Sequence, residues 1–168
     1  MSVATLGIWV MACAASVPTL QQAPQLEPLG HYVGEWKFDG NLNGNPFLKG
    51  TAESKFILDG SFLQQHLDLR SPNGDDILKL MFLRTWDAKR QQYRSWSFAP
   101  GGDSLEWTGS WDADSRTMSW KAERDQDSYT LTSEFKTGGQ EAWSLITLDE
   151  FGQQKFAATG TNVRTTKD

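Results

Sequence analysis

Two histidines, His31 and His66, and one cysteine, Cys13, are the only imidazoles and thiol in the 168-residue chain. Zinc sites gather three or four such ligands at short spacings, and no such spacing exists here, so no metal is expected. A nucleophilic serine needs an adjacent base, and no Gly-x-Ser-x-Gly is present. Glu106, Glu123 and Glu134 fall on the polar faces of alternating runs, where solvated charge is the ordinary outcome, and Asp87, Asp112 and Asp114 sit in turn sequences. No catalytic residue is assigned. Gly101-Gly102 and Gly138-Gly139 read as hairpin turns, not as phosphate-cradling loops. What remains is arginine among aromatic rings. At period two, Arg84 shares a face with Phe82 and Trp86, Arg94 with Trp96 and Phe98, and Arg124 with Trp120 and Ala122. A buried guanidinium must meet a carboxylate, a ring face or an anionic ligand, whereas at a barrel rim it is simply solvated. If the Trp/Leu side faces inward, Phe82, Arg84, Trp86, Arg94, Trp96, Trp107, Trp111 and Trp120 form a candidate ligand-binding set. It suits an apolar or anionic aromatic molecule.

The elements that must position these residues are legible from the turns. The clusters GNLNGNP, LDGS, SPNGDD, WDAKRQ, APGGD, DADSR, RDQD, KTGGQ and DEFGQ punctuate the chain at short intervals from His31 onward. Nine turns separate ten strands. Between them Leu105, Trp107, Gly109 and Trp111 alternate with Glu106, Thr108 and Ser110, and Met118, Trp120 and Ala122 alternate with Ser119, Lys121 and Glu123. Tyr129, Leu131, Ser133 and Phe135 alternate with Thr130, Thr132 and Glu134 in the same way. Such half-buried strands, joined by short turns, pair as antiparallel hairpins, and a meander of ten removes its edges most simply by closing. The expectation is all-β: a single antiparallel up-and-down barrel over residues 31–164, with its pocket on strands four to seven. The run Ile77–Leu83 is apolar on both faces, so its outer face is expected to be covered, by the N-terminal segment or by a second copy in a homodimer.

At about 150 residues per domain the length supports one domain, and a chain of this size buries roughly 70% of its unfolded surface without disulfide staples. The net charge of -5 lacks the basic footprint of a nucleic-acid binder, so no nucleic-acid partner is expected. Val3–Val17, VATLGIWVMACAASV, is apolar, uncharged and too short to span a bilayer comfortably. Residues 1–17 read as a signal peptide or lipoprotein leader, although no basic residue precedes the run; Val10-Met11-Ala12-Cys13 would lipidate Cys13. An N-terminal apolar helix packed on the domain is the alternative. The proline- and glutamine-rich residues 18–30 read as a linker, residues 31–168 as the barrel domain, and the protein as exported: periplasmic, envelope-associated or secreted.

Gly34-Glu35-Trp36 resembles the Gly-x-Trp opening of lipocalin-like barrels. With ILDGSFLQQHLDL, FLRTWDAKRQQYRSWSF, TGSWDADSRTMSW and TGTNVR, the chain is similar over residues 29–164 to the bacterial family called domain of unknown function 1579. It departs from that pattern at Trp86 and Trp111, where the family more often has Tyr, at Phe98-Ala99, and at Asn162-Val163-Arg164, where the family has Tyr-Thr-Arg. The resemblance implies a lipocalin-like, calycin-type barrel in exported proteins and carries over no activity or ligand. It also implies that Trp36 and Arg164 close the barrel as a stacked pair. Ten-stranded barrels of the nitrobindin kind hold haem through a histidine near their C-terminal strands, whereas His66 lies on the third strand and on its polar side, so no cofactor is expected.

Two functional classes follow. One is a binding module with a small ligand in the barrel mouth. The other is a structural or interaction protein of the envelope whose barrel is filled by its own tryptophans. An enzyme acting on a small hydrophobic substrate comes third.

Overall fold

The computed structural model describes residues 23–74 and 77–165. The leader, Cys13 and the start of the expected linker lie outside them. Ten strands run β1 (Gly34–Leu42), β2 (Asn45–Ile57), β3 (Phe62–Arg70), β4 (Ile77–Asp87), β5 (Gln92–Phe98), β6 (Ser104–Asp112), β7 (Thr117–Arg124), β8 (Asp127–Lys136), β9 (Gln140–Leu148) and β10 (Gln154–Arg164). Each pairs antiparallel with the next, and β1 pairs with β10 from Trp36↔Arg164 to Leu42↔Ala158, so the barrel is closed. Each expected turn cluster overlaps a connection between strands, although GNLNGNP runs largely within β1 and β2, and residues 75 and 76 of SPNGDD lie outside the described residues. Asn43-Gly44, with φ of 51° and 80°, supplies the left-handed pair that a two-residue hairpin requires.

Alternation sets what enters the barrel. Phe82 and Arg84 on β4, Trp107 on β6, Met118, Trp120 and Ala122 on β7, and Ser133 and Phe135 on β8 are buried. Large rings fit because glycine stands beneath them. Gly40 and Gly160 face each other across the β1–β10 seam, and the Trp143 indole lies over both. Gly109, opposite Trp120 on the neighbouring strand, makes the same room for that ring.

One end of the barrel is plugged by a 3₁₀ helix, Pro24–Tyr32, which corrects the linker expectation for these residues. With three residues per turn, Leu26, Leu29 and Tyr32 fall on one face, and all three are buried, Leu29 completely. The barrel wall satisfies main-chain carbonyls that so short a helix leaves free. Trp36 Nε1 donates to Tyr32 O at 2.8 Å, Tyr93 Oη to Gln25 O at 2.8 Å, and Arg164 Nη2 to His31 O at 2.9 Å. The His31 ring packs against both Trp111 and Phe135, at centroid distances of 5.2 and 5.1 Å, and those two rings meet each other at 6.2 Å. Burial, then the charges of Arg116 and Arg164, hold the His31 pKa below its ordinary value.

The Arg164 guanidinium lies 4.7 Å from the centre of the Trp36 ring. A cation–π contact at an exposed site is worth about 0.5–1 kcal/mol. Arg164→Ala is therefore expected to lower the melting temperature by about 1–4 °C in a calorimetric scan. It should leave ligand affinity unchanged, because Arg164 is on the plug side of the barrel. An unaltered melting temperature would assign the stack no stabilising role.

On β4, Leu80 and Phe82 turn inward, while Met81 and Leu83 lie half-buried on the outer face, where Gln64 Nε2 donates to Met81 Sδ at 3.5 Å. Neighbouring polar chains and an exposed Lys79–Asp68 pair at 3.8 Å adjoin this outer face.

Candidate functional site

Between the plug and the opposite end lies a cavity of about 350 Å³. Its floor, nearer the plug, is polar: Tyr32, Gln65, Arg84, Ser133, Glu141 and Asn162. Its walls and mouth are apolar, with Phe38, Leu67, Phe82, Trp107, Leu131 and Trp143 deeper and Phe47, Leu69, Leu78 and Phe156 toward the opening. Phe47 and Phe156 meet edge-on there at 5.8 Å.

Arg84 dominates the floor. Its residue is 3% exposed, and Nη1 donates to Gln65 Oε1 at 2.7 Å, while Nε has no partner. The guanidinium is ringed by aromatic faces, 4.4 Å from Tyr32, 4.7 Å from Phe82 and 5.5 Å from Trp120. Among the described residues no ion pair closes on it. Burial pulls its pKa below the ordinary value, while Tyr32 and Glu141 act the other way; arginine starts so high that it remains a cation.

Glu141, 4% exposed, accepts from Asn162 Nδ2 at 2.8 Å. Burial raises its pKa above the usual carboxylate value, against the opposing effects of hydrogen bonds from Ser133 and Asn162 and of the Arg84 charge. Tyr32, which accepts from Trp120 Nε1 at 3.2 Å, is held neutral by burial. Asn162 Oδ1 and Trp143 Nε1 are buried without partners. The arrangement is a cation under an apolar chamber, with unused hydrogen-bonding capacity at the same depth.

Three of the eight residues in the expected ligand set, Phe82, Arg84 and Trp107, line this cavity, Trp107 with its Nε1 donating to Ser97 Oγ at 3.0 Å. Trp86, Trp111 and Trp120 also face inward but pack in the core at the plug end, Trp86 edge-on to Tyr93 at 4.9 Å. Arg94 and Trp96 do not face inward. The inner face of β5 carries the buried Tyr93 and Ser95, with Ser97 lining the cavity, which turns Arg94 and Trp96 outward. There Arg94 pairs with Glu106 and with Asp87 at 3.6 Å and lies over Trp96 at 4.9 Å. Both faces of β5 hold an aromatic, so period two alone could not choose between them. Arg124 is a rim residue, donating to Asp103 at 3.0 Å and to the Ser104 carbonyl. The pocket is therefore not confined to strands four to seven; β1, β2, β3, β8, β9 and β10 contribute most of its wall.

Sequence reasoning passed over Gln65, Glu141 and Asn162. The available signal was a polar residue within an apolar period-two stripe: Leu63, Gln65, Leu67, Leu69 on β3 and Glu141, Trp143, Leu145 on β9. His66 is exposed on the outer face of β3, away from the cavity. Among the described residues no cluster of three or more His, Cys, Asp or Glu could hold a metal ion, and no helix is long and apolar enough to cross a membrane.

A closed ten-stranded antiparallel meander with one end plugged and a chamber inside is an up-and-down β-barrel of lipocalin-like architecture. Solved structures agree on that fold. The chain is similar to the S-type phycobiliprotein lyase CPES from Guillardia theta, with 12% identity, a TM-score of 0.59, and coverage of 89% of this chain and 97% of that one. It is likewise similar to Rv2717c from M. tuberculosis, with 13% identity, a TM-score of 0.66, and coverage of 87% and 100%. No protein-family model and no curated protein matches the sequence.

Proposed function

We propose that this protein binds a small amphiphile with an anionic head inside the barrel, the head on Arg84 and the apolar body toward the mouth. The observation that carries this reading is Arg84 itself: a buried cation with an unused donor at the floor of an otherwise apolar chamber. Leaving a charge buried and unpaired is costly, and an anion arriving there gains charge-assisted hydrogen bonds in a water-poor setting. A flat aromatic body suits the ring-lined wall, so the ligand class is an anionic aromatic or apolar molecule. A barrel filled by its own side chains does not account for the chamber. The wider reading is of an exported member of domain of unknown function 1579. It is supported by the motifs quoted above and the apolar Val3–Val17 run, within which Cys13 is proposed as a lipidation site.

The test pairs 8-anilinonaphthalene-1-sulfonate with N-phenyl-1-naphthylamine, which lacks the sulfonate, in fluorescence titrations at one pH. Hydrogen bonds to charged groups are worth about 1.5–3 kcal/mol, so the wild type should prefer the sulfonate by roughly 10–100-fold. Arg84→Met should abolish the preference, with circular dichroism checking that the barrel is retained; Glu141, whose pKa burial already raises, is expected to be neutral in this variant. Equal affinities in the wild type, or a preference that survives Arg84→Met, would overturn the reading.

A further inference from the structure

We propose that the barrel floor is a proton-coupled site for a monoanionic, acceptor-only headgroup such as a carboxylate or sulfonate: the anion docks on Arg84, and Glu141 takes up a proton from solvent in the same step. The inference rests on the ligand reading above and deepens it.

The groups facing Glu141 are Arg84 from β4, Tyr32 from the plug, Ser133 from β8 and Asn162 from β10. Of these Arg84 alone carries a permanent charge. In the empty barrel the hydrogen bonds from Ser133 and Asn162 and then the Arg84 charge support an ionised Glu141 against burial. An anion seated on Arg84 offsets the Arg84 part of this support and adds a second negative charge at the same depth in a low-dielectric interior. Both changes favour the protonated carboxyl, as when two carboxylates share one site.

Protonation also changes what the floor offers. With Glu141 ionised, Asn162 Nδ2 is spent on Glu141 Oε2, and Asn162 Oδ1 is left as an unpartnered acceptor. Once protonated, Glu141 has an O–H to donate. An Asn162 amide turned over would accept it through Oδ1 and free its N–H groups. Arg84 Nε, Trp143 Nε1 and Asn162 Nδ2 would then all be donors without partners, matched to a head that only accepts. The added proton neutralises Glu141, so that Arg84 alone balances the ligand's single negative charge; a dianion would leave a buried charge uncompensated.

The test is calorimetric titration of 8-anilinonaphthalene-1-sulfonate into the full chain across pH 4–9, each pH in two buffers of different ionisation enthalpy. The sulfonate stays ionised throughout, so any proton taken up belongs to the protein. Up to one proton per ligand is expected, and affinity should fall as pH rises, by up to about tenfold per unit, between the Glu141 pKa values of the free and bound states. Glu141→Gln should bind without uptake and with a flat profile, and N-phenyl-1-naphthylamine should bind the wild type without uptake. Independently of how that variant folds, the ¹³C resonance of the Glu141 carboxyl in the wild type should move to its protonated position when the sulfonate is added. Saturable, Arg84-dependent binding with no proton uptake at any pH would overturn the coupling while leaving the ligand reading intact. So would uptake that persists in Glu141→Gln, or a Glu141 resonance that does not move. Loss of the sulfonate preference at a single pH would remove the ligand reading itself, and the coupling with it.

Discussion

Leu29→Ala is expected to lower the melting temperature by roughly 5–15 °C, followed by circular dichroism or calorimetry. Leu29 is 0% exposed at the centre of the plug, packed in the cluster that includes Leu63, Tyr93, Met118 and Trp120. Removing a fully buried leucine side chain costs about 2–5 kcal/mol, from lost transfer energy plus the cavity left behind. For a chain of this size each kcal/mol moves the midpoint by about 2–4 °C. The helix is held mainly by that face and by the three side chains that donate to its carbonyls, so the variant should also loosen Tyr32. Affinity for the anionic probe should weaken along with stability, because the Tyr32 ring covers Arg84. Glu27→Ala, on the exposed side of the same helix, should change neither. A segment acting only as a linker would make Leu29→Ala as silent as Glu27→Ala.

Gly160→Ala is expected to be as damaging through the opposite mechanism. A Cβ at this position would sit 2.0 Å from the Asp39 carbonyl oxygen and 2.6 Å from the Trp143 ring. The first is main chain of the strand it is paired with, so it cannot swing aside without parting β1 from β10. Overpacking of this kind costs about 1–3 kcal/mol and more when backbone must move, which corresponds to a loss of about 5–10 °C. Trp143→Phe in the same chain should restore part of the loss by clearing the ring contact, but not the part due to Asp39. Gly30→Ala is the matched control: nothing lies within 4 Å of its added carbon, and its stability should stay within about 0.5 kcal/mol. A Gly160→Ala protein that melts with the wild type would mean that the seam is looser than the register Gly40↔Gly160 implies.

The strand pattern could be read in advance because its determinants are local. Turn residues act on their own φ and ψ, and alternation of Trp107, Gly109 and Trp111 with Glu106, Thr108 and Ser110 is a property of one strand. Ten such strands joined by short turns leave closure as the simplest way to remove two edges, and Trp36 then lies beside Arg164 because the first and last strands meet. The inward orientation of Trp107 follows from the same alternation on β6, where one face is markedly more polar, whereas β4 is apolar on both faces over Ile77–Leu83 and the closed sheet settles that Phe82 and Arg84 turn inward.

Local signals thus account for the ten-stranded closed meander, its turns and the parity of most strands. Long-range packing sets which parity of β5 faces in, how far along the barrel each inward residue sits, and what covers the end. Parity says nothing of depth, so Trp86, Trp111 and Trp120 could not be told from cavity residues until the register fixed them beside the plug. Proline and glutamine make residues 18–30 read as a linker, and the shared face of Leu26, Leu29 and Tyr32 acquires meaning only when a hydrophobic barrel end stands opposite it. The floor is the most non-local feature of all. Tyr32, Gln65, Arg84, Ser133, Glu141 and Asn162 come from the plug and five different strands, and only the shared stagger of a closed sheet brings them to one depth, where burial and mutual charge give them their chemistry.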